Sequence, residues 1–142
     1  MKKGYKKPNL ESKYFDQLFE SLPSLEGKTV VITGTTSGTG YTAAEACGKL
    51  GAKVVLLNRP SERAKTSYEK LKEATSNGSF HPIDCDLQSF ASVRECISKI
   101  NDLCPEGIDV LCNNAGVMAL EDMPTGDGYD VQMQTNHLSH FL

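Results

Sequence analysis

The feature that most constrains this chain is an apolar run, Thr29-Val30-Val31-Ile32-Thr33, that passes without a spacer into a turn carrying Gly34, Gly38 and Gly40. β-Branched residues side by side, with no polar alternation, read as a strand covered on both faces, and such strands belong to parallel sheets. A strand of that kind requires helices above and below it. Beyond the turn, Ala44, Cys47 and Leu50 recur every three residues and stop at Gly51, a residue suited to ending a helix in the left-handed conformation. Residues 53–57 predict a second strand, and Pro60-Ser61 opens a second helix with Ala64, Tyr68 and Leu71 at helical spacing and Asn77-Gly78 at its close. Residues 80–84 predict a third strand whose Pro82, lacking an N–H, belongs at a sheet edge. Phe90, Val93, Ile97, Ile100 and Cys104 mark a third helix, residues 108–112 a fourth strand, and a last helix from about Tyr129 carries Val131, Leu138, Phe141 and Leu142.

The expected fold is therefore α/β: a doubly wound parallel sheet of Rossmann type, represented by its first four strands in the order 3-2-1-4, with strand three at the edge. Its length of 142 residues, 39% of them hydrophobic, suits one core. Residues 28–142 make up the sheet domain and residues 1–27 an N-terminal extension. In that extension Tyr14, Phe15, Leu18, Phe19 and Leu22 share one helical face, with Glu11, Ser12, Asp16 and Glu20 elsewhere. Lys2, Lys3, Lys6 and Lys7 precede it without the apolar stretch of a secretory signal, and no run approaches transmembrane length. Because acids flank the apolar face, the expected dock is the chain's own domain or a partner subunit rather than a lipid surface. Self-association stays open. A net charge of -3 and the lack of a basic stripe speak against nucleic acid as a partner. The five cysteines are odd in number and form no C-x-x-C pair, so they read as reduced core residues of a cytoplasmic protein, or of one on the cytosolic face of a membrane. His137 and His140 lack a third ligand at metal-binding spacing, and no metal is expected.

The position of the glycine turn between strand and helix gives each glycine a task. Gly34 permits the tight turn, Gly38 lets the backbone approach a phosphate, and Gly40 allows the helix to pack closely on the sheet. Thr36, Ser37 and Thr39 complete the expected phosphate cradle, where free amides and the helix dipole attract an anion. A nucleotide-triphosphate loop of the Walker A kind is excluded, because Thr39 stands where it would need lysine. About twenty residues on, where an acid would bond a ribose 2′-hydroxyl, the chain has Asn58 followed by Arg59. A neutral Asn58 beside a fixed cation favours a 2′-phosphate, and so NADP(H), with NAD(H) as the second choice. The plain structural alternative for Arg59 is a solvated side chain at a strand end.

Four segments together resemble the short-chain dehydrogenase/reductase family: the turn from Thr33 to Gly40, Asp86-Leu87, Asn113-Asn114-Ala115-Gly116, and residues 135–142. By that resemblance Asp86 would bond the adenine amino group and Leu87 support the ring, while Asn114, Ala115 and Gly116 would line the ribose side of the cofactor. Structural alternatives are that Asp86 caps the third helix and that Asn114-Ala115-Gly116 is a turn. Asn136 matches the family's active-site asparagine, which organises a water and the proton relay to a catalytic lysine. Residues 135–142 look most similar to the branch holding retinol dehydrogenases and protochlorophyllide reductases, many of which use NADPH.

The family's serine and its Tyr-x-x-x-Lys pair lie downstream of the segment matching Asn136, so the chain is expected to be the truncated cofactor-binding half of an enzyme. Tyr68 and Lys72 do spell Tyr-x-x-x-Lys, but on the second helix, out of the family's chain order. Thr39 stands where the family has an apolar residue, which is expected to weaken helix packing slightly. The resemblance implies hydride transfer between NADP(H) and a small-molecule carbonyl or alcohol. The rival expectation is a non-catalytic NADP(H)-binding module, or an inactive remnant.

Overall fold

The computed structural model describes residues 15–75 and 78–142. Four strands, β1 (Thr29–Thr33), β2 (Lys53–Asn58), β3 (Ser79–Asp84) and β4 (Val110–Cys112), form one parallel sheet in the order β3-β2-β1-β4. That is the expected order, with Val31 aligned between Val55 and Leu111. Pro82 sits on the edge strand, where its missing N–H interrupts no ladder between two neighbours. The fourth strand starts later than residue 108. Asp109 is spent on the neighbouring chain entrance, its N–H donating to the Thr29 carbonyl (2.9 Å) and its carboxylate accepting from Lys28 Nζ and Thr29 N (2.8 Å each).

Alternation along each strand divides the core in two. Val30, Ile32, Val54 and Leu56 face one way, against Ala44 of α2 (Gly38–Lys49) and Leu71 of α3 (Glu62–Ala74). Val31, Val55 and Leu57 face the other way, against Val93 and Cys96 of α4 (Phe90–Leu103). Each fully buried aliphatic side chain of this kind contributes about 1.5–3 kcal/mol. The continuous apolar runs are thus explained by helices on both faces. All five cysteines are free thiols, Cys85, Cys96 and Cys104 buried and Cys47 and Cys112 half-buried. Ile97, one of the apolar positions that mark the helix after β3, is exposed.

Helix boundaries follow the caps. Ser61 accepts from Ala64 N (3.1 Å) to start α3, which ends at Ala74, short of Asn77-Gly78; Asn77 lies outside the described residues. Asp130 accepts from the amides of Gln132 (3.0 Å) and Met133 (2.7 Å), so the last helix begins at Val131 rather than Tyr129. It runs as α5 (Val131–Met133), a π-helical turn (Gln134–Leu138) and α6 (Ser139–Phe141). Gly51, at φ +93°, follows α2 as expected.

The helix α1 (Phe15–Glu20) holds part of the predicted amphipathic segment, with Phe15 stacked on Phe19 at 5.9 Å. Glu11, Ser12 and Tyr14 lie outside the described residues. Phe15, Leu18 and Leu22 are exposed, so the described residues of the sheet domain do not cover this face.

Away from the strand ends, α2 and β3 approach so closely that no methyl group fits between them. A Cβ on Gly48 would overlap the Phe80 ring, and one on Gly78 would lie 2.7 Å from Gly48 Cα.

Candidate functional site

The glycine turn, Asp86-Leu87, Ala115-Gly116 and Thr135 come together at the carboxyl end of the sheet, the place where open α/β sheets bind ligands. The turn after β1 is held from two sides. A Cβ on Gly34 would lie 2.8 Å from Ala115 Cα, and one on Gly40 would overlap the Gly34 carbonyl oxygen and the Asn114 amide nitrogen. Gly38 has no neighbour within 4 Å of a Cβ; its φ of +62° alone calls for glycine. Thr39 is exposed, so it takes nothing from the packing of α2, contrary to the sequence expectation.

Asn58 plays another part than the sequence suggested. It is buried, its Oδ1 accepting from Thr35 N and its Nδ2 donating to Thr35 Oγ1, both at 2.8 Å. Both functional atoms therefore fasten the glycine turn to β2. The charge beside it comes from exposed Arg59 and from Arg63, which projects from the first turn of α3 and donates to Ser37 Oγ. Arg63 was missed in the sequence. Its signal is the spacing of four from Arg59 across Pro60-Ser61, where the Ser61 cap turns the chain back toward the glycines.

Gly34, Thr36, Asn58, Arg59, Asp86, Leu87, Ala115 and Gly116 line one crevice of about 210 Å³, with Arg63, Val117 and Thr135. Ser37 borders a neighbouring hollow with Thr36 and Arg63. Gly38 and Thr39 are exposed on the rim, Gly40 is buried behind it, and Asn114 serves as a joint. Asn114 Nδ2 donates to the carbonyls of Thr33 (2.9 Å) and Gly34 (3.2 Å), while the amides of Asn114 (3.0 Å) and Ala115 (2.9 Å) donate to Thr33 Oγ1. Asp86 is not the cap of α4. Ser89 holds that place, accepting from Ser92 N (3.3 Å), and Asp86 Oδ1 instead accepts from Gln88 N (3.0 Å). Oδ2 has no protein partner among the described residues.

Asn136 lies in the π-helical turn beside Gly116 and makes a two-way clamp. Its Oδ1 accepts from Val117 N and its Nδ2 donates to Val117 O, both at 2.7 Å. The side chain thus bonds a residue 19 positions away rather than a local one. π-Turns inside helices concentrate at functional sites, and no sequence signal announced this one. The stretch 117–128, which shows no period, is also held in place. Asp127 Oδ2 accepts from Phe90 N (2.8 Å) and Gln134 Nε2 (2.7 Å), bonds that hold its carboxyl below the usual aspartate range. Tyr68 and Lys72 sit on α3, the ammonium 5.1 Å from the ring centroid, and neither lines the crevice.

The N-terminus of α2 fits an anion. Ser61, Ser89 and Asp130 cap α3, α4 and α5, whereas Ser37 makes no side-chain cap for α2 and no acid stands in its first turn. The first amides of a helix lack intrahelical partners, and Arg59 and Arg63 add positive charge beside this turn, which suits an anionic group. Among the described residues no three His, Cys, Asp or Glu side chains gather to hold a metal ion.

Residues 28–142 match the family model described as short chain dehydrogenase. The chain belongs to the short-chain dehydrogenase family. It is 35% identical over 122 residues to retinol dehydrogenase 13 of Homo sapiens, covering 86% of this chain and 37% of that protein. It is 34% identical over 120 residues to polyprenol dehydrogenase of Homo sapiens, covering 84% and 36%. Among solved structures, the RhlG/NADP active-site complex of Pseudomonas aeruginosa superposes with a TM-score of 0.67 at 31% identity, over 83% of this chain and 45% of that one. The family's Rossmann sheet is therefore present here through its first four strands, and the chain spans less than half of the length of these relatives. No helix among the described residues is long and apolar enough to cross a membrane.

Proposed function

We propose that this short-chain dehydrogenase chain binds NADP(H) and belongs to an oxidoreductase that moves hydride between that cofactor and a carbonyl or alcohol. The observation that carries the reading is the uncapped N-terminus of α2 beside the guanidinium groups of Arg59 and Arg63. The α2 amides would hold the pyrophosphate, Arg59 and Arg63 the 2′-phosphate, Asp86 Oδ2 the adenine amino group, and Ala115 and Gly116 the ribose side. When bound, the nicotinamide supplies the hydride chemistry. The chain's own part is to orient it. Asn58 and Asn114 keep the turn rigid, and the Asn136–Val117 clamp fixes the far wall. The NADP-bound solved relative supports the cofactor choice. The names of the two human relatives point to apolar alcohols as the substrate class.

Separate titrations of NADPH and NADH into the chain test this. NADPH is expected to bind more tightly, and Arg59→Ala and Arg63→Ala each to weaken NADPH about tenfold, the scale of one lost charge-assisted bond, with NADH little changed. Equal affinity for the two cofactors overturns the reading.

A second reading is a non-catalytic module that binds NADP(H) and engages a partner through α1, favoured by the exposure of Phe15, Leu18 and Leu22. A protein that binds NADPH, fails to turn over any alcohol or aldehyde, and loses a partner on Leu18→Asp would establish it.

A further inference from the structure

His140 lies one helical turn beyond Asn136, and both of its ring nitrogens are engaged. Nε2 is 3.0 Å from Thr33 Oγ1, and Nδ1 is 3.3 Å from the Asn136 carbonyl oxygen. The Asn136 carbonyl decides which nitrogen carries the proton. Thr33 Oγ1 accepts from the Ala115 amide (2.9 Å) and shares the Asn114 amide (3.0 Å) with the Cys112 carbonyl (3.0 Å). Its own proton has two acceptors in reach, the Cys112 carbonyl at 3.5 Å, the limit of a hydrogen bond, and His140 Nε2 at 3.0 Å. The Asn136 carbonyl on the other side of the ring can only accept, so Nδ1 must carry the proton to bond it. Nε2 therefore accepts from Thr33, and the ring proton sits on Nδ1 and is donated to Asn136.

We propose that neutral His140, in its Nδ1–H form, is a positioning residue that holds the Thr33 hydroxyl toward Asn114 and Ala115 and ties that joint to the π-turn carrying Asn136. The role is built into the fold; its consequence for cofactor binding rests on the reading given under Proposed function.

Uptake of a second proton from water, at Nε2, yields an imidazolium whose new N–H requires an acceptor. Thr33 can serve only by turning its own proton away from the ring, which leaves the Asn114 and Ala115 amides to share the remaining lone pair, the Asn114 amide falling back on the Cys112 carbonyl at 3.0 Å. Among the described residues no charged side chain lines the wall against the ring. The wall it shares with β1, β2, α4 and the segment after β4 presents Thr33, Leu57, Cys96, Asn101 and Asn113. The titratable groups there are the thiols of Cys85 and Cys96, which hydrogen-bond each other. On its own helix the nearby ring is His137, set against Phe141 at 6.4 Å.

The test is made on the full chain, labelled with 15N, with His140→Gln as the assignment control. Long-range 1H–15N spectra taken where the ring is neutral should show His140 in the Nδ1–H form; a dominant Nε2–H form overturns the proposal. The amide resonances of Asn114 and Ala115, which report the hydrogen bonds to Thr33 Oγ1, should shift in one step as His140 takes its second proton. Absence of that step, or a step of equal size in His140→Gln, also overturns it. NADPH affinity should fall across the same step in the natural chain and stay level in His140→Gln. If the amides respond and NADPH binds at no pH, the cofactor reading fails and the positioning role stands; if NADPH binds and the amides do not respond, the positioning role fails.

Discussion

The glycines of the turn need their missing side chains for different reasons, and substitution separates them. Gly40→Ala places a methyl group against the Gly34 carbonyl and the Asn114 side chain, backbone and anchored amide that have little room to yield. A loss of about 1–3 kcal/mol in denaturant unfolding is expected, with weakened NADPH binding. Gly38→Ala meets open space and carries only the strain of its positive φ, about 1 kcal/mol. Asn58→Ala leaves the buried Thr35 amide without its acceptor and is expected to cost about 1–3 kcal/mol while leaving the preference for NADPH over NADH in place. A switch of cofactor preference in that variant would return Asn58 to the selective role its sequence position suggested. At this scale, residue identity and chain position revealed which residues gather at the strand ends. They did not reveal which way each one faces. Asn58 and Asn114 look like ligand contacts in one dimension and are fasteners in three, and Arg63 joins the crevice only because Ser61 reverses the chain.

Among the elements, the segment between β4 and α5 depends on one carboxylate. Asp127 accepts from Phe90 N at the start of α4 and from Gln134 in the π-turn, and Tyr129 rests 5.5 Å from the Phe90 ring. These bonds favour the charged form in the folded chain, the Phe90 amide first, then Gln134, with Arg94 adding a smaller attraction. The stabilisation is therefore complete above the unfolded aspartate value near about 3.9 and is lost as pH falls from there through the lower folded value. Thermal unfolding of the natural chain and of Asp127→Asn should differ at neutral pH and converge in acid; a difference independent of pH would refute the role. Ser89→Ala should cost about 1 kcal/mol by uncapping α4, measured the same way. The strands and the first three helices of the sheet domain were readable because their apolar periods are set by burial against neighbours. The π-turn and the tethered loop were not, since their geometry comes from single bonds such as Asn136 to Val117 that no period records.

For the whole molecule, the asymmetry of the sheet sets its behaviour in solution. β3 is a proline-bearing edge, while β4, among the described residues, pairs only with β1 and leaves Val110 48% and Leu111 52% exposed. An open apolar edge of this kind promotes association. The purified chain should sediment as a concentration-dependent mixture, and Val110→Lys should shift it toward the monomer; a monomer at every concentration would show that the edge is inert. The strand order itself was legible, because Pro82 and the continuous β-branched runs leave few arrangements open. Far from the crevice, a Cβ on Gly48 would overlap the Phe80 ring and one on Gly78 would press on the Gly48 backbone, so neither position has room for a methyl group. In a library scored only for abundance in cells, those two positions should rank with the glycine turn among the least tolerant, so intolerance to change cannot serve as a map of what this molecule binds.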